Sequence, residues 1–191
     1  MSHPHEMPGT IRKLWLGETG RFREHLLRLD PESRANRFGA PVNDYFVEQY
    51  AARAIGSDAV MHGYFVDGTL RGCAELRGLH TLPPHAAETA FSIEKSFQNN
   101  GVGSALMGRT ILAARNRGIK KLFMNCLAHN HPMQAIARKY HADLKFEAGD
   151  VMAEIANAQP DPISVFREFV ADGCGIGTAV LDAQSRMLRA A

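Results

Sequence analysis

Residues 87–142 read AETAFSIEKSFQNNGVGSALMGRTILAARNRGIKKLFMNCLAHNHPMQAIARKYHA, and this stretch decides the fold. Its centre is Gln98-Asn99-Asn100-Gly101-Val102-Gly103, which follows a strand-like run and opens a helix-like run. A glycine-rich turn before a helix leaves backbone N–H groups unpaired, and these groups, together with the helix dipole, bind phosphate anions. The sequence therefore predicts an anion site at this turn.

Hydrophobic periodicity extends the prediction along the chain. The predicted strands cover residues 11–16, 59–66, 70–76, 87–94, 121–127, 143–148 and 151–155. The predicted helices cover residues 20–30, 42–55 and 101–116, with a fourth helix capped by Asn130 and a loop over residues 33–44. Asp67-Gly68 predicts a tight hairpin turn between the second and third strands.

The order of these elements predicts the fold class. It indicates an α/β (α+β) chain with a mixed, mostly antiparallel central sheet flanked by helices and one parallel crossover. We expect residues 1–10 to be flexible and residues 11–156 to form one domain. Residues 157–191 are predicted to form a helical C-terminal extension of two short helices, separated at Gly173-Cys174-Gly175-Ile176-Gly177. These helices would pack on the domain or on a partner subunit.

Composition argues against several classes of function. Lys and Arg number 22 and Asp and Glu number 20, so the net charge of +2 gives no basis for nucleic-acid or membrane-surface binding. The N-terminal MSHPHEMPGT lacks the apolar segment of a signal peptide, and no apolar run approaches the roughly 20 residues of a membrane span. Three scattered cysteines, Cys73, Cys126 and Cys174, favour a reducing, cytoplasmic setting. His3 and His5 are interpreted as solvated, so no metal site is predicted.

The segment around Gly101 resembles the GNAT family of N-acetyltransferases. The coenzyme motif of that family, Gln/Arg-x-x-Gly-x-Gly/Ala between a strand and a helix, is matched by Gln98-x-x-Gly101-x-Gly103. The likeness in element order covers residues 11–155. It implies the GNAT fold, acetyl-CoA as co-substrate, and transfer of the acetyl group to a primary amine of a small molecule or a protein. A second hypothesis stays open, a catalytically weak regulatory module that binds or senses acyl-CoA.

The resemblance also assigns residues to the coenzyme. The backbone at Phe91, Ser92 and Ile93 corresponds to the strand that pairs with the pantetheine arm. Gln98 begins the pyrophosphate loop, and Asn130 corresponds to a family asparagine near the coenzyme. The amides expected to hold the pyrophosphate are those of Asn99, Asn100, Gly101, Val102, Gly103 and Ser104. Glu88 lies where some members carry a glutamate that acts as a base through water.

Several of these positions keep a second interpretation. Glu88 also fits a solvated strand residue, and Asn130 also fits a helix N-cap. Many members place a tyrosine, an acid toward the sulfur, at the position of Ala137. Here Tyr140 lies one turn later and is interpreted as a core residue, and Cys126 is interpreted as packing. Neither glycine-rich segment has the Gly-Lys-Ser/Thr of a P-loop, which argues against a nucleotide hydrolase.

Two further sets of residues are candidates for binding. The acceptor is expected to contact some of Arg34, Arg37, Tyr45, Phe46, His80 and His85. Asn99-Asn100 replaces basic residues that are common in the family. Other cations therefore become candidates for phosphate contacts or for a solvated face, namely Arg109, Arg115, Arg117, Lys120 and Lys121. The expected partners are acetyl-CoA, an amine acceptor and, through the extension, a second copy in a homodimer.

Overall fold

A computed structural model describes residues 8–79, 86–147 and 149–190 of the protein. Its strands are β1 Thr10–Lys13, β2 Ala59–Val66, β3 Thr69–Arg77, β4 Ala86–Ile93, β5 Lys121–Leu127, β6 Asp143–Glu147 and β7 Asp150–Ala156. Its helices are α1 Thr19–Leu27, α2 Pro31–Phe38, α3 Asp44–Ala54, α4 Val102–Asn116, α5 His131–Lys139 and α6 Pro162–Ala190. The predicted flexible N-terminus lies mostly outside the described residues.

The strands form a seven-stranded sheet in the order β1-β2-β3-β4-β5-β7-β6. Every neighbouring pair is antiparallel except β4 and β5, which run parallel from Ala86 opposite Lys121 to Glu88 opposite Phe123. Beyond Glu88 and Phe123 the two strands no longer pair with each other, so a gap opens between them. This arrangement confirms the predicted mixed, mostly antiparallel sheet with one crossover through α4.

Apolar side chains fill both faces of the sheet. On one face, α1 and α3 bury Phe22, Leu26 and Val47 against Cys73 of β3. On the other face, α4 and α5 form a second cluster that includes Leu76, Met107, Leu122, Met124 and Ala137. The sheet therefore has helices packed on both of its faces.

The loop predicted over residues 33–44 is wrong in its first half, because α2 occupies Pro31–Phe38. The Asp30 side chain accepts a hydrogen bond from the Ser33 N–H at 3.1 Å and caps this helix. Pro31 takes the first helical position, where its missing N–H costs nothing and its fixed φ suits the helix. The Asp30-Pro31 pair therefore starts a helix, although the sequence analysis used it only to end the preceding one.

The prediction of two short helices in the C-terminal extension is also wrong, because α6 is one continuous helix. Its inward side is held by polar contacts to β1 and α4. Lys13 pairs with Glu168 and Asp172, and Asn116 donates to the Ser164 carbonyl at 3.0 Å. At Gly175 a Cβ atom would lie 2.7 Å from the Cβ of Arg12, so a close approach to β1 requires glycine there.

Candidate active site

Strand β4 presents unpaired backbone groups to the gap. The Glu94 N–H donates to the Arg71 carbonyl at 3.0 Å, which fixes the register of hydrogen bonding between β3 and β4. Since hydrogen bonds alternate along an antiparallel pair, the N–H and C=O of Ser92 point toward β3. Those of Phe91 and Ile93 point the other way, into the gap. An extended amide-containing chain in the gap could pair with the N–H and C=O of Phe91 and with the N–H of Ile93, since the Ile93 carbonyl already accepts from Gln98 Nε2 at 2.9 Å.

The turn after β4 exposes the N-terminus of α4. Asn99 and Gly101 both adopt left-handed backbone conformations, with φ of 61° and 80°. The first intrahelical bond runs from the Ala105 N–H to the Gly101 carbonyl at 3.0 Å. The N–H groups of residues 102–104 therefore have no partner within the helix. These donors and the positive end of the helix dipole face the same side of the turn.

Gly103 has a packing role as well. A Cβ atom there would lie 2.7 Å from Cδ1 of Ile136 and 3.3 Å from Cδ1 of Ile93. Glycine at this position therefore lets α5 and β4 approach the first turn of α4. The side-chain amide of Gln98 fixes the start of the turn, because its Nε2 donates to the Ile93 carbonyl and to Ser33 Oγ, each at 2.9 Å.

A cavity of about 370 Å³, here named the Gly101 cavity, lies between β4, α2 and the starts of α4 and α5. Nine of the residues assigned to the coenzyme line it, namely Phe91, Ser92, Ile93, Gln98, Asn99, Gly101, Gly103, Ser104 and Asn130. Asn100 is exposed outside its wall, and Val102 is buried in the core with its N–H left for a ligand. Asn130 also caps α5, since its Oδ1 accepts from the Met133 N–H at 3.2 Å.

A buried polar network supports β4 behind this cavity. His25 Nε2 lies 2.9 Å from Ser92 Oγ, and His25 Nδ1 lies 3.2 Å from Glu94 Oε1. Burial lowers the pKa of His25, so the ring is neutral at neutral pH. Burial alone would raise the pKa of Glu94, but hydrogen bonds from His25, Arg28 and Arg71 outweigh it and lower that pKa to about 2. The Glu94 carboxylate is therefore charged, and it accepts hydrogen bonds from all three side chains.

A second cavity of about 600 Å³, here named the Glu88 cavity, lies at the outer end of the gap. Its wall includes Arg37 of α2, Asn125 of β5 and three carboxylates, those of Glu88, Glu147 and Asp150. The three carboxylates are exposed to solvent, whereas the Arg37 side chain is only 7% exposed and is neutralised by buried Glu75. The cavity wall is therefore negatively charged overall.

The two cavities approach each other beside Asn36. A small cavity of about 50 Å³ shares Asn36, Phe91 and Asn130 with the Gly101 cavity, and Arg37 and Asn125 with the Glu88 cavity. Asn36 lines this passage, and its Oδ1 atom is buried and has no hydrogen-bond partner among the described residues. A ligand extending from one cavity to the other would pass this free acceptor.

The profile of the Acetyltransferase (GNAT) family matches residues 23–142, which is more than half of the chain. The chain belongs to the GNAT family. The matched region begins in α1 and ends just after α5, so it includes the Gly101 cavity and the parallel crossover. The family resemblance found around Gly101 is thereby confirmed.

Solved structures share the GNAT fold with this chain. The GNAT domain of S. lividans PAT is 24% identical, with a TM-score of 0.67, over 78% of this chain and 90% of that one. A PaiA N-acetyltransferase from Thermoplasma acidophilum, solved in complex with coenzyme A, is 17% identical, with a TM-score of 0.59, over 78% of this chain and 99% of that one. A cAMP-binding acyltransferase from Mycobacterium smegmatis is 20% identical, with a TM-score of 0.57, over 86% of this chain and 50% of that one. The protein therefore spans about half the length of the mycobacterial enzyme.

The candidate catalytic groups of this GNAT domain differ in their exposure to solvent and in their hydrogen bonds. Glu88 is exposed, and its Oε1 accepts a weak hydrogen bond from Asn125 Nδ2 at 3.4 Å. Cys126 is 6% exposed, and burial raises the pKa of its thiol. The Tyr140 hydroxyl donates to the Ser104 carbonyl at 2.6 Å, so it stabilises the first turn of α4 as the core interpretation predicts. Ala137 is fully buried and offers no proton.

Of the residues suggested for acceptor binding, Arg37 lines the Glu88 cavity. Arg34 instead pairs with Asp44 at 2.6 Å, and Tyr45 is 70% exposed on α3. Phe46 packs against Phe38 with their ring centroids 5.4 Å apart. His80 and His85 lie outside the described residues.

The cations suggested for phosphate contacts do not line the Gly101 cavity, and three of them are directed at the C-terminal segment. Arg115 pairs with Asp161 at 2.5 Å, and Arg117 pairs with Glu168 at 2.9 Å. Arg109 lies 3.4 Å from the Ala171 carbonyl. Lys121 pairs with Glu154 of β7 at 2.7 Å. Phosphate contacts by these five cations, the alternative to a solvated basic face, therefore stay a prediction.

Sequence reasoning missed the side chains that support the GNAT site from behind. Ser33 and Asn36 lie on α2, in a segment where the sequence predicts a loop although Asp30-Pro31 is a helix-start signal. Glu75 and His25 were not singled out, because an isolated polar residue in an apolar run gives no local sign of its partner. Among the described residues no group of three or more His, Cys, Asp or Glu is placed to hold a metal ion. In the same part of the chain no helix has the length and apolar character needed to cross a membrane.

Proposed function

We propose that this GNAT protein transfers an acetyl group from acetyl-CoA to a primary amine of a small molecule or a protein. The observation that supports the proposal is the meeting of two unlike cavities at the gap between β4 and β5. The Gly101 cavity offers backbone donors to an anionic chain, and the Glu88 cavity offers carboxylates to a cation. The passage beside Asn36 joins them where the thioester would lie.

The Gly101 cavity suits coenzyme A in two ways. The free N–H groups of residues 102–104 can bind the pyrophosphate, and the left-handed Gly101 leaves no side chain over them. The N–H and C=O of Phe91 and the N–H of Ile93 can pair with the amides of the pantetheine arm, as a peptide does when it extends a sheet edge. The coenzyme A found in the Thermoplasma relative is consistent with this assignment.

The chemistry requires a neutral amine and a polarised thioester. The amine nitrogen attacks the carbonyl carbon, the C–N bond forms, and the C–S bond then breaks to release coenzyme A. In this proposal Glu88 accepts the proton that the amine loses, through a water molecule in the Glu88 cavity. The thiolate takes a proton from solvent, because Ala137 has none to give and the Tyr140 hydroxyl is engaged by Ser104.

Three carboxylates make a cationic amine the favoured acceptor. Glu88, Glu147 and Asp150 line one cavity, while its single arginine, Arg37, is paired with buried Glu75. A negative cavity raises the local concentration of cations and speeds their association, an effect that salt weakens. All three cysteines are unpaired, which supports our further proposal that the protein acts in the reducing cytoplasm.

A catalytically weak module that binds acyl-CoA is the second candidate function. It is favoured by one observation, the fully buried Ala137 at the position where many family members carry an acidic tyrosine. Under this hypothesis coenzyme binding is retained and turnover is negligible.

The test combines calorimetry with free-thiol release from acetyl-CoA over a panel of amines. We expect acetyl-CoA binding, turnover of cationic amines, and a lower KM for diamines than for neutral or carboxylate-bearing amines. Added salt should raise the KM of the cationic acceptors. Binding of acetyl-CoA without turnover of any amine supports the second candidate, and absence of binding contradicts both.

A further inference from the structure

The outward side of α6 is apolar, although its inward side is fixed to the domain by ion pairs. We define the α6 face by six side chains that are 44–75% exposed, Ile163, Phe166, Phe169, Val170, Ile176 and Val180. Given that a large apolar or aromatic side chain covers about 150–250 Å², these exposures amount to roughly 700 Å² of accessible surface. The largest patch on a typical monomer is about 300–600 Å², and a stable interface buries about 800 Å² per partner. The α6 face is therefore of the size that a dimer requires.

Two glycines at the middle of this face have no explanation within the chain. Glycine is the least favourable residue in a helix interior apart from proline. Gly175 is explained by its contact with Arg12, but Cβ atoms built on Gly173 and Gly177 would meet nothing within 4 Å. Nothing among the residues that the structure describes requires glycine at either position. A second helix that crosses at close range would require both.

The face also fits its own copy in register. Residues 163, 166, 170, 173, 177 and 180 alternate in steps of three and four, so they form one stripe along the helix. Antiparallel pairing about a two-fold axis at Gly173 places Phe166 opposite Val180 of the second copy. The same pairing places Val170 opposite Ile176 and Gly177 opposite Phe169, and it brings the two copies of Gly173 together at the crossing point. The two aromatic side chains of the face, Phe166 and Phe169, therefore meet the smaller Val180 and Gly177 of the second copy.

We propose that a second copy of this chain covers the α6 face in a symmetric dimer. The face is self-complementary, as an interface with two-fold symmetry must be. A lipid surface is a poorer match, because Arg167 is the one exposed cation on α6 between residues 163 and 181, whereas helices that bind anionic membranes are rich in Lys and Arg.

Sedimentation equilibrium of the full chain tests the proposal. We expect the wild-type protein to be dimeric at micromolar concentrations and Phe166→Glu to weaken association by at least about tenfold, because a charge would be buried. Tyr45→Glu is the matched control, since Tyr45 is 70% exposed on α3 and lies off the face. A wild-type protein that stays monomeric overturns the proposal, including one that binds vesicles of anionic phospholipid through α6.

A second variant separates association from folding. Gly173→Leu has open space in the single chain and raises helix propensity, so the melting temperature should not fall. In the dimer the added side chain would hold the helices apart, and association should be lost. An unchanged association constant for Gly173→Leu overturns the proposal.

Spin labelling supplies an independent measurement. Cys174 is the exposed cysteine beside the axis, whereas Cys73 and Cys126 are buried. A nitroxide on Cys174 should give a defined distance between copies in the wild type and none in Phe166→Glu. Absence of any distance between copies in the wild type contradicts the dimer.

Discussion

The Gly101 cavity takes most of its wall from one short stretch of chain, residues 91–104, together with the start of α5. The Glu88 cavity takes its wall from α2, β4, β5 and the hairpin of β6 and β7, which are far apart in sequence. The first cavity offers mainly backbone groups, and the second offers mainly charged side chains. A local sequence motif can therefore specify the first cavity, whereas only the complete fold specifies the second.

Both cavities nevertheless have a buried carboxylate behind them. Glu94 supports the Gly101 cavity through His25 and Ser92. Glu75 supports the Glu88 cavity through Arg37, and Tyr50 donates to its Oε2 at 2.7 Å. Burial alone would raise the pKa of Glu75, but Arg37 and Arg77 lower it. Each cavity is thus supported by a buried carboxylate, Glu94 or Glu75, that does not itself line the cavity.

The largest expected effect concerns the backbone character of the Gly101 cavity. Gly101→Glu places a negative side chain over the free N–H groups, and we expect acetyl-CoA affinity to fall by about 1,000-fold or more, roughly 4 kcal/mol. Gly118→Glu is the matched control, because Gly118 also has a left-handed φ, 69°, and open space around it. Calorimetry measures both, and equal losses in the two variants would attribute the effect to backbone strain instead.

The Glu75→Gln variant tests how strongly the buried Glu75 carboxylate, which lies behind the Glu88 cavity, stabilises the folded protein. The change leaves the Arg37 guanidinium buried without its counter-ion, and we expect a loss of about 3–5 kcal/mol in the free energy of unfolding. Asp44→Asn, which breaks the exposed pair with Arg34, should cost less than about 1 kcal/mol. Urea denaturation compares the two, and similar losses would contradict the importance of burial.

The third expected effect is on catalysis. Glu88→Gln should lower kcat by about 100–10,000-fold near neutral pH, the usual contribution of a general base, and leave acetyl-CoA affinity unchanged. The loss should shrink as pH rises, because more of the acceptor amine is then already neutral. Thiol release measured across pH provides the profile, and a profile identical to the wild type would remove Glu88 from the mechanism.

The smallest expected effect is the acid sensitivity conferred by Glu94. Its pKa of about 2 lies below the ordinary 4.5, so its stabilising contribution is complete above pH 4.5 and is lost as pH falls toward 2. His62 acts in the same direction at higher pH, because burial lowers its pKa from 6.5 to about 3. Glu94→Gln should therefore show a smaller fall in melting temperature between neutral pH and about pH 3.5 than the wild type. Glu32→Gln, in an exposed pair with Lys95, should behave as the wild type does.

Sequence patterns predicted the elements of the sheet well because each depends on local periodicity. The predicted bounds 59–66 and 121–127 coincide with β2 and β5, and Asp67-Gly68 forms the expected turn with both φ angles positive. The motif from Gln98 to Gly103 was identifiable for the same reason, since its turn and its helix start are adjacent in the chain.

The errors arose where one signal had two physical outcomes. Asp30-Pro31 disfavours helix before the proline and favours helix after it, and only the first effect was used. Three glycines within residues 173–177 argue against a helix, yet the anchoring of α6 by Lys13 and Asn116 outweighs their low propensity. The carboxylates Glu147 and Asp150 could not be assigned at all, because their distance to Glu88 is set by the pairing of β5 with β7.

The short parallel pairing of β4 with β5 has a mechanical consequence. Within the sheet, backbone hydrogen bonds join a four-stranded antiparallel unit, β1 to β4, to a three-stranded unit, β5 to β7, only through the ladder from Ala86 to Glu88, while the apolar cluster under α4 and α5 packs against both units. In the free protein few backbone hydrogen bonds therefore connect the two parts of the sheet. An acyl-CoA bound in the gap would add hydrogen bonds to the free edge of β4 and fill the space between β4 and β5. Amide hydrogen exchange at Phe91 and Ile93 should slow when the coenzyme binds, and the two halves should then unfold as one unit.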